Sequence, residues 1–290
     1  MNTFIKLQLT FVLFYGTIFS RDLELKLSLD TTHYLRSQSI WTQVSVCNTS
    51  NRIVEVQPLI LDESVAGVHF IVKDESGNTL LPTSESIADI FGSEKMKIFS
   101  KDSVTNYFDI ITWFCNSGIK NPQLFLQTEH FLKEGKYSVR AWTYSGIDTL
   151  YSNYVTINII PPHPKEQIVL QALTYAEYQY KLELAKPEKT SLLLFDEIRQ
   201  KFPWSKYVSQ VYDELIFSTY STLRNYPRTV DLVLEYAKKY PNKSGTVQKL
   251  SSYASFIIEQ GRKSELEKLL NKYPNTKIGK YCKRKLSEIK

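Results

Sequence analysis

Apolar positions along this chain change period near residue 162. Before it they alternate, as in Leu23, Leu25, Leu27, Leu29 and again Val155, Ile157, Ile159. That spacing places them on one face of an extended chain and predicts strands. After it they recur at three and four, as in Leu192, Phe195, Ile198 and Leu266, Leu269, Leu270, which makes one apolar stripe on a helix. The run Pro161-Pro162-His163-Pro164 stands at the change, and proline stops one regular structure before another begins. Strands are predicted over 23–29, 40–47, 53–59, 68–73, 107–114, 123–127, 136–144 and 154–160. Turn residues separate them, among them Asn48-Thr-Ser-Asn51, Ser76-Gly-Asn78 and Asn121-Pro122. The stretch 82–101 reads as a long loop with a little helix around 87–91. Helices are predicted over 167–185, 189–201, 206–223, 227–239, 244–260, 263–272 and 277–289.

This organisation predicts an α+β multidomain chain: an antiparallel β-sandwich over 21–160, a Pro-rich linker over 161–166 and a helical-hairpin array over 167–290. Residues 1–20 read as a secretory signal. Lys6 supplies the positive start, 7–19 is almost wholly apolar, and Ser20 ends the stretch with a small residue. The apolar core is shorter than a bilayer-spanning helix requires, so the mature chain is expected outside the cytoplasm: periplasmic, cell-envelope or secreted. Retention of the segment as an anchor is the competing reading.

A recurring junction separates the helices: Phe202-Pro-Trp-Ser205, Tyr226-Pro-Arg-Thr229, Tyr240-Pro-Asn-Lys-Ser244 and Tyr273-Pro-Asn-Thr276. The aromatic is expected to plug the seam between helices, the Pro to stop the first, and Ser or Thr to cap the next. Pro241 to Pro274 spans 33 residues and Pro203 to Pro241 spans 38, near the period of a two-helix repeat. The final stretch from Leu269 through Tyr273-Pro-Asn-Thr276 to Leu286 resembles the tetratricopeptide arrays of exported bacterial proteins. That resemblance implies a concave face suited to a peptide or helix. In the β half, Tyr34 through Ser50 and the strand Gly135-Lys-Tyr-Ser-Val-Arg-Ala-Trp142 resemble bacterial extracytoplasmic immunoglobulin-like domains of the macroglobulin type. Ser37-Gln38-Ser39 stands where that pattern carries Gly-Glu-Pro. The resemblance implies that Tyr137 sits in the core with its hydroxyl bonded to nearby backbone.

Charge divides unevenly. Residues 21–160 carry 12 Lys and Arg against 16 Asp and Glu, net −4, whereas 161–290 carry 23 against 14, net +9. A basic helical half meets either an acidic protein, anionic lipid or polyanionic glycan, or only water. Of the cysteines, Cys47 and Cys115 form the candidate disulfide pair, both on the polar side of their strands by parity, and Cys282 stays free. Tyr175, Tyr178, Tyr180, Tyr207, Tyr212, Tyr220 and Tyr226 crowd the helical half. Trp204, Tyr207, Tyr212 and Tyr220 are the candidate partner-binding residues, since stiff amphipathic rings favour interfaces; inter-helix packing is the plainer reading of each.

Motifs for chemistry are missing. His33, His69, His130 and His163 have no partner at metal-ligand spacing, no Gly-x-Ser-x-Gly elbow exists, and no Gly-rich loop opens a helix. No cofactor is expected. The carboxylate pairs Asp62-Glu63 and Asp74-Glu75 fall in predicted turns, where they read as solvent-facing charge. Asn48-Thr-Ser and Asn242-Lys-Ser match the glycosylation pattern, which matters in a eukaryotic host. The expectation is a non-catalytic exported interaction or scaffold protein whose repeats hold a protein partner, with no nucleic acid involved. Two other classes stay open: a hydrolase whose site is assembled from dispersed carboxylates, and a protease inhibitor.

Overall fold

The computed structural model describes residues 22–56, 59, 67–80, 95–111, 132–145, 148–183 and 190–289. The expected signal segment, the strand at 123–127, the short helix at 87–91, Asp62-Glu63 and Cys115 lie outside the described residues. The chain is α+β. Its strands are β1 (Leu23–Leu29), β2 (His33–Leu35), β3 (Trp41–Asn48), β4 (Val54–Val56), β5 (Val68–Lys73), β6 (Thr79–Leu80), β7 (Met96–Ile98), β8 (Ser103–Asp109), β9 (Gly135–Ser145), β10 (Asp148–Tyr151) and β11 (Val155–Ile160). Seven helices follow among the described residues: α1 (Pro164–Glu183), α2 (Thr190–Lys201), α3 (Val208–Ser221), α4 (Tyr226–Lys239), α5 (Ser244–Glu259), α6 (Lys263–Lys272) and α7 (Lys277–Glu288).

Alternation does what the pattern predicts. Leu23, Leu25 and Leu27 are buried while Glu24, Lys26 and Ser28 are not. The antiparallel register sets Leu25 opposite Val46 and Leu27 opposite Val44, so buried residues meet buried residues. A three-stranded sheet, β1-β3-β8, faces a larger sheet, β2-β11-β9-β5-β6, with β10 also on β9. Among the described residues every pairing is antiparallel except β2 with β11. Leu25, Val44 and Phe108 from one sheet share a core with Val72, Val139 and Ile157 from the other. Tyr137 is buried there, and its hydroxyl donates to Lys133 O at 2.8 Å. The strand expected over 107–114 instead runs Ser103–Asp109, because β8 pairs along β3 from Trp41↔Asp109 to Cys47↔Ser103.

In the helical half each of α1 to α5 packs on its sequence neighbour; α6 then lies against α4, and α7 against both α6 and α5. Helix α1 opens at Pro164, a position where proline's missing N–H costs nothing, so the connection shortens from the expected 161–166 to 161–163. A second core, around Phe195, Val211, Val233, Leu250 and Leu269, fills this half. Leu35 of β2 belongs to it, with Tyr107 and Ile160 packed on its margin. No described helix is long and apolar enough to cross a membrane.

Candidate functional site

The four partner-binding candidates separate into two surface residues and two buried ones. Trp204 is 52% exposed, resting edge-to-face on Phe202. Tyr220 is half-buried within a cluster of rings. Tyr207 and Tyr212 are fully buried and offer a partner no area, which corrects their assignment. The Tyr207 hydroxyl donates to Arg36 O at 2.6 Å, across to the β half. The Tyr212 hydroxyl donates to Glu235 Oε1 at 2.6 Å, beside an ion-paired Arg199 that also holds Asp196. Burial, then the Glu235 carboxylate, pushes the Tyr212 phenol up to about 12. Both rings are packing and bracing groups.

Tyr220 leads to a surface the sequence did not single out as a unit. Its ring lies 5.6 Å from Tyr226, 5.3 Å from Tyr253 and 5.4 Å from Phe256, and Tyr226 stacks on Phe256 at 5.5 Å. Phe217, one turn before Tyr220 on the same face of α3, is 56% exposed, and Leu223 and Tyr226 are exposed as well. The turn joining α3 to α4 fixes this patch. Asn225 N donates to Thr219 O, and the Asn225 side chain caps α4 by accepting from Arg228 N. Arg224 sits between them with φ 50°, a conformation that costs an L-residue about 1 kcal/mol. It has no carboxylate within ion-pair distance among the described residues, unlike Arg199, Arg228, Arg262 and Arg284 of the same half.

Where the halves meet, charged groups are buried together. Asp30, just past β1, accepts from Ser244 N at 2.8 Å, Ser244 Oγ at 2.7 Å and Lys277 Nζ at 2.7 Å. Lys249 of α5 pairs with Asp213 of α3 at 2.5 Å and lies 4.9 Å from the Trp41 ring of β3 and 5.1 Å from that of Tyr236. Gln210 Nε2 donates to Ser37 O at 2.8 Å. Asp109 completes the group, accepting from Ile40 N at 2.9 Å and Ile111 N at 3.2 Å. Desolvation raises its carboxyl to about 6 against the pull of the Ser39 and backbone donors. Burial raises Asp213 too, in spite of Lys249, and lowers Lys243. These residues come from segments far apart in sequence, and only the folded chain brings them together.

Of the carboxylate pairs raised for chemistry, Asp74-Glu75 lies among the described residues, and both its members are engaged in backbone hydrogen bonds. A polar trough of about 580 Å³ is lined by Thr32, His33, Glu75, Lys136, Thr156 and Asn158. Glu75 Oε1 there accepts from Lys136 N at 2.7 Å. Asp74 accepts from Asn78 N and Nδ2, which hold it below the usual carboxylate range and close a turn. Among the described residues no three His, Cys, Asp or Glu side chains are grouped so as to hold a metal. Cys47 has no disulfide partner among the described residues and is half-buried, turned off the Val44/Val46 side as parity requires. Asn48 is buried, its amide donating to Arg52 O and Ile98 O, so a glycan has no access to it.

No protein-family model matches this chain, and no curated protein does. Among solved structures, similarity is found to a β-glucosidase from Listeria innocua in complex with isofagomine, at 15% identity, 47% of this chain, 16% of that chain and TM-score 0.25. A mutant of that enzyme in complex with laminaribiose gives 15% identity, 48% and 16% coverage and TM-score 0.25. This chain thus spans a small fraction of those proteins' length, and a likeness at that score carries no argument about fold or chemistry.

Proposed function

We propose that the chain is a non-catalytic exported interaction protein. In this reading an immunoglobulin-like β half acts as spacer or ligand module, and a tetratricopeptide-like helical array holds a protein partner through the α3–α4–α5 ring patch. The observation that carries it is the continuity of that patch. Tyr220, Tyr226, Tyr253 and Phe256 form one cluster of rings, and Phe217 and Leu223 stand exposed on the same helix and the turn that follows it, whereas isolated exposed apolar residues are ordinary. Covering one such side chain is worth about 1.5–3 kcal/mol, and aromatic rings beside an arginine are the composition of interface hot spots. Arg224, without a carboxylate partner among the described residues, and the +9 charge of the helical half favour a partner with an acidic rim. The lie of α6 on α4 and of α7 on α5 supports the repeat reading; the Tyr137 hydroxyl bond supports the immunoglobulin-like one. Export rests on Lys6 and the apolar stretch that follows.

The test uses cross-linking in cells followed by mass spectrometry, on the wild type, Phe217→Ser/Tyr226→Ser, Arg224→Gly and Trp204→Ser. Arg224→Gly removes the cation while relieving its left-handed backbone, so it separates binding from folding. Expected is a protein neighbour recovered with wild type and Trp204→Ser, and lost from both patch variants. Identical neighbours from all four proteins would sink the proposal.

A further inference from the structure

A second unpaired arginine stands in the β half, where the net charge of −4 should supply partners readily. Arg36 and Arg52 each have a carboxylate within 4.0 Å; Arg140 on β9 has none among the described residues. Its Nε donates to Ser152 O at 2.9 Å, and its guanidinium carbon lies 4.4 Å from the Tyr151 ring centre and 5.0 Å from that of Tyr154. The backbone between those tyrosines is fixed at several points. Ser152 N donates to Ala141 O, Ser152 Oγ accepts from Ala141 N at 2.9 Å, and the Asn153 amide bridges Leu27 N and O at 3.0 Å each. Both rings nevertheless stay open, at 49% and 48% exposed. The two terminal amino groups of Arg140 have no acceptor among the described residues. Its fork is thus oriented before any ligand arrives, which lowers the ordering cost of binding.

We propose that Arg140, Tyr151 and Tyr154 form a binding site for a uronic-acid oligosaccharide. A carboxylate takes the two terminal amino groups of Arg140 side by side, and the C–H faces of the sugar lie on the exposed rings. The row of rings continues along the sheet, since Tyr151 stands opposite Trp142 and Trp142 meets Tyr144 edge-on at 5.2 Å. An extended sugar chain therefore has more than one contact. A peptide could not join as an added strand here, because β9 is already paired by β5 on one edge and by β10 and β11 on the other. The site is independent of the helical patch and survives that reading's failure.

Calorimetric titration of the full chain with trigalacturonate, maltotriose and acetylated hexaglutamate tests it. Expected is saturable binding of trigalacturonate alone, weakened about tenfold in Arg140→Gln, weakened also in Tyr154→Ala, and reduced by salt. Matching circular dichroism of both variants shows that the fold is kept; if Arg140→Gln does not fold, the surface variant Tyr154→Ala decides. No saturable uronate binding, or binding indifferent to both variants, overturns the proposal. Equal binding of hexaglutamate with the same Arg140 dependence overturns the sugar assignment.

Discussion

Asp109 shows how one residue can set a pH dependence for the whole chain. It ends β8 opposite Trp41, and around it stand Ser39 and the backbone of Ile40 and Ile111, with Asp213 and Tyr236 across the joint. Its folded value of about 6 lies above the 3.8 expected when unfolded. Between those values the folded chain holds the proton and the unfolded chain has released it, so this group's contribution to stability falls as pH rises from about 4 to about 6, then levels. Two pKa units correspond to roughly 2–3 kcal/mol. Asp109→Asn keeps an oxygen for Ile40 N and Ile111 N and can donate to Ser39. Denaturant unfolding at several pH values should find the variant's advantage near zero at pH 4, growing to roughly 2 kcal/mol by pH 7. A constant difference would show that Asp109 does not titrate in this range.

Among the elements, the helices were largely legible in the sequence: α6 runs over the predicted 263–272, and α4, α5 and α7 differ by a residue at an end. Their apolar period is sustained over several turns, and the junctions carry stop and cap signals. Thr276 caps α7 by accepting from Gly279 N at 3.2 Å, and the Tyr273 hydroxyl donates to Lys238 O at 3.0 Å, closing the α4–α6 seam as its aromatic position suggested. Ser244 and Thr229 depart from the pattern: the Ser244 hydroxyl serves Asp30 instead of a cap, and Thr229 lies inside α4, which Asn225 caps. Strands β2, β6, β7 and β10 escaped notice because two to four residues display no period. Tyr207 and Tyr212 were misjudged because a ring's exposure depends on what packs over it, which spacing alone does not reveal. Glycine at 279 is required by approach, since an added Cβ would lie 2.0 Å from Tyr273 O. Thr276→Ala should therefore cost about 1 kcal/mol and Gly279→Ala about 3 kcal/mol or more, both read by chemical denaturation. Equal costs would show that the Tyr273 turn yields freely.

For the molecule as a whole, the question is whether two cores behave as one cooperative unit. Leu35 of the β half sits in the helical core, Asp30 ties the start of α5 to Lys277 of α7, and the Trp41 indole lies close against α5 at Gly245. An added Cβ at Gly245 would come 2.6 Å from that indole, and a packed bicyclic ring has little room to retreat. Two halves joined this way should unfold together, because separating them leaves Asp30, Asp213 and Lys249 without their cross-joint surroundings and bares the Trp41 face. Gly245→Ala and Asp30→Ala attack the joint from opposite sides while leaving each core's own packing intact. Calorimetry should show one transition for the wild type and two for each variant, with helical content unchanged at room temperature and faster proteolysis near Pro161 and His163. A single transition retained in both variants would mean that the two cores are coupled through Leu35, Tyr107 and Ile160 instead, and that the charged joint adds orientation without cooperativity.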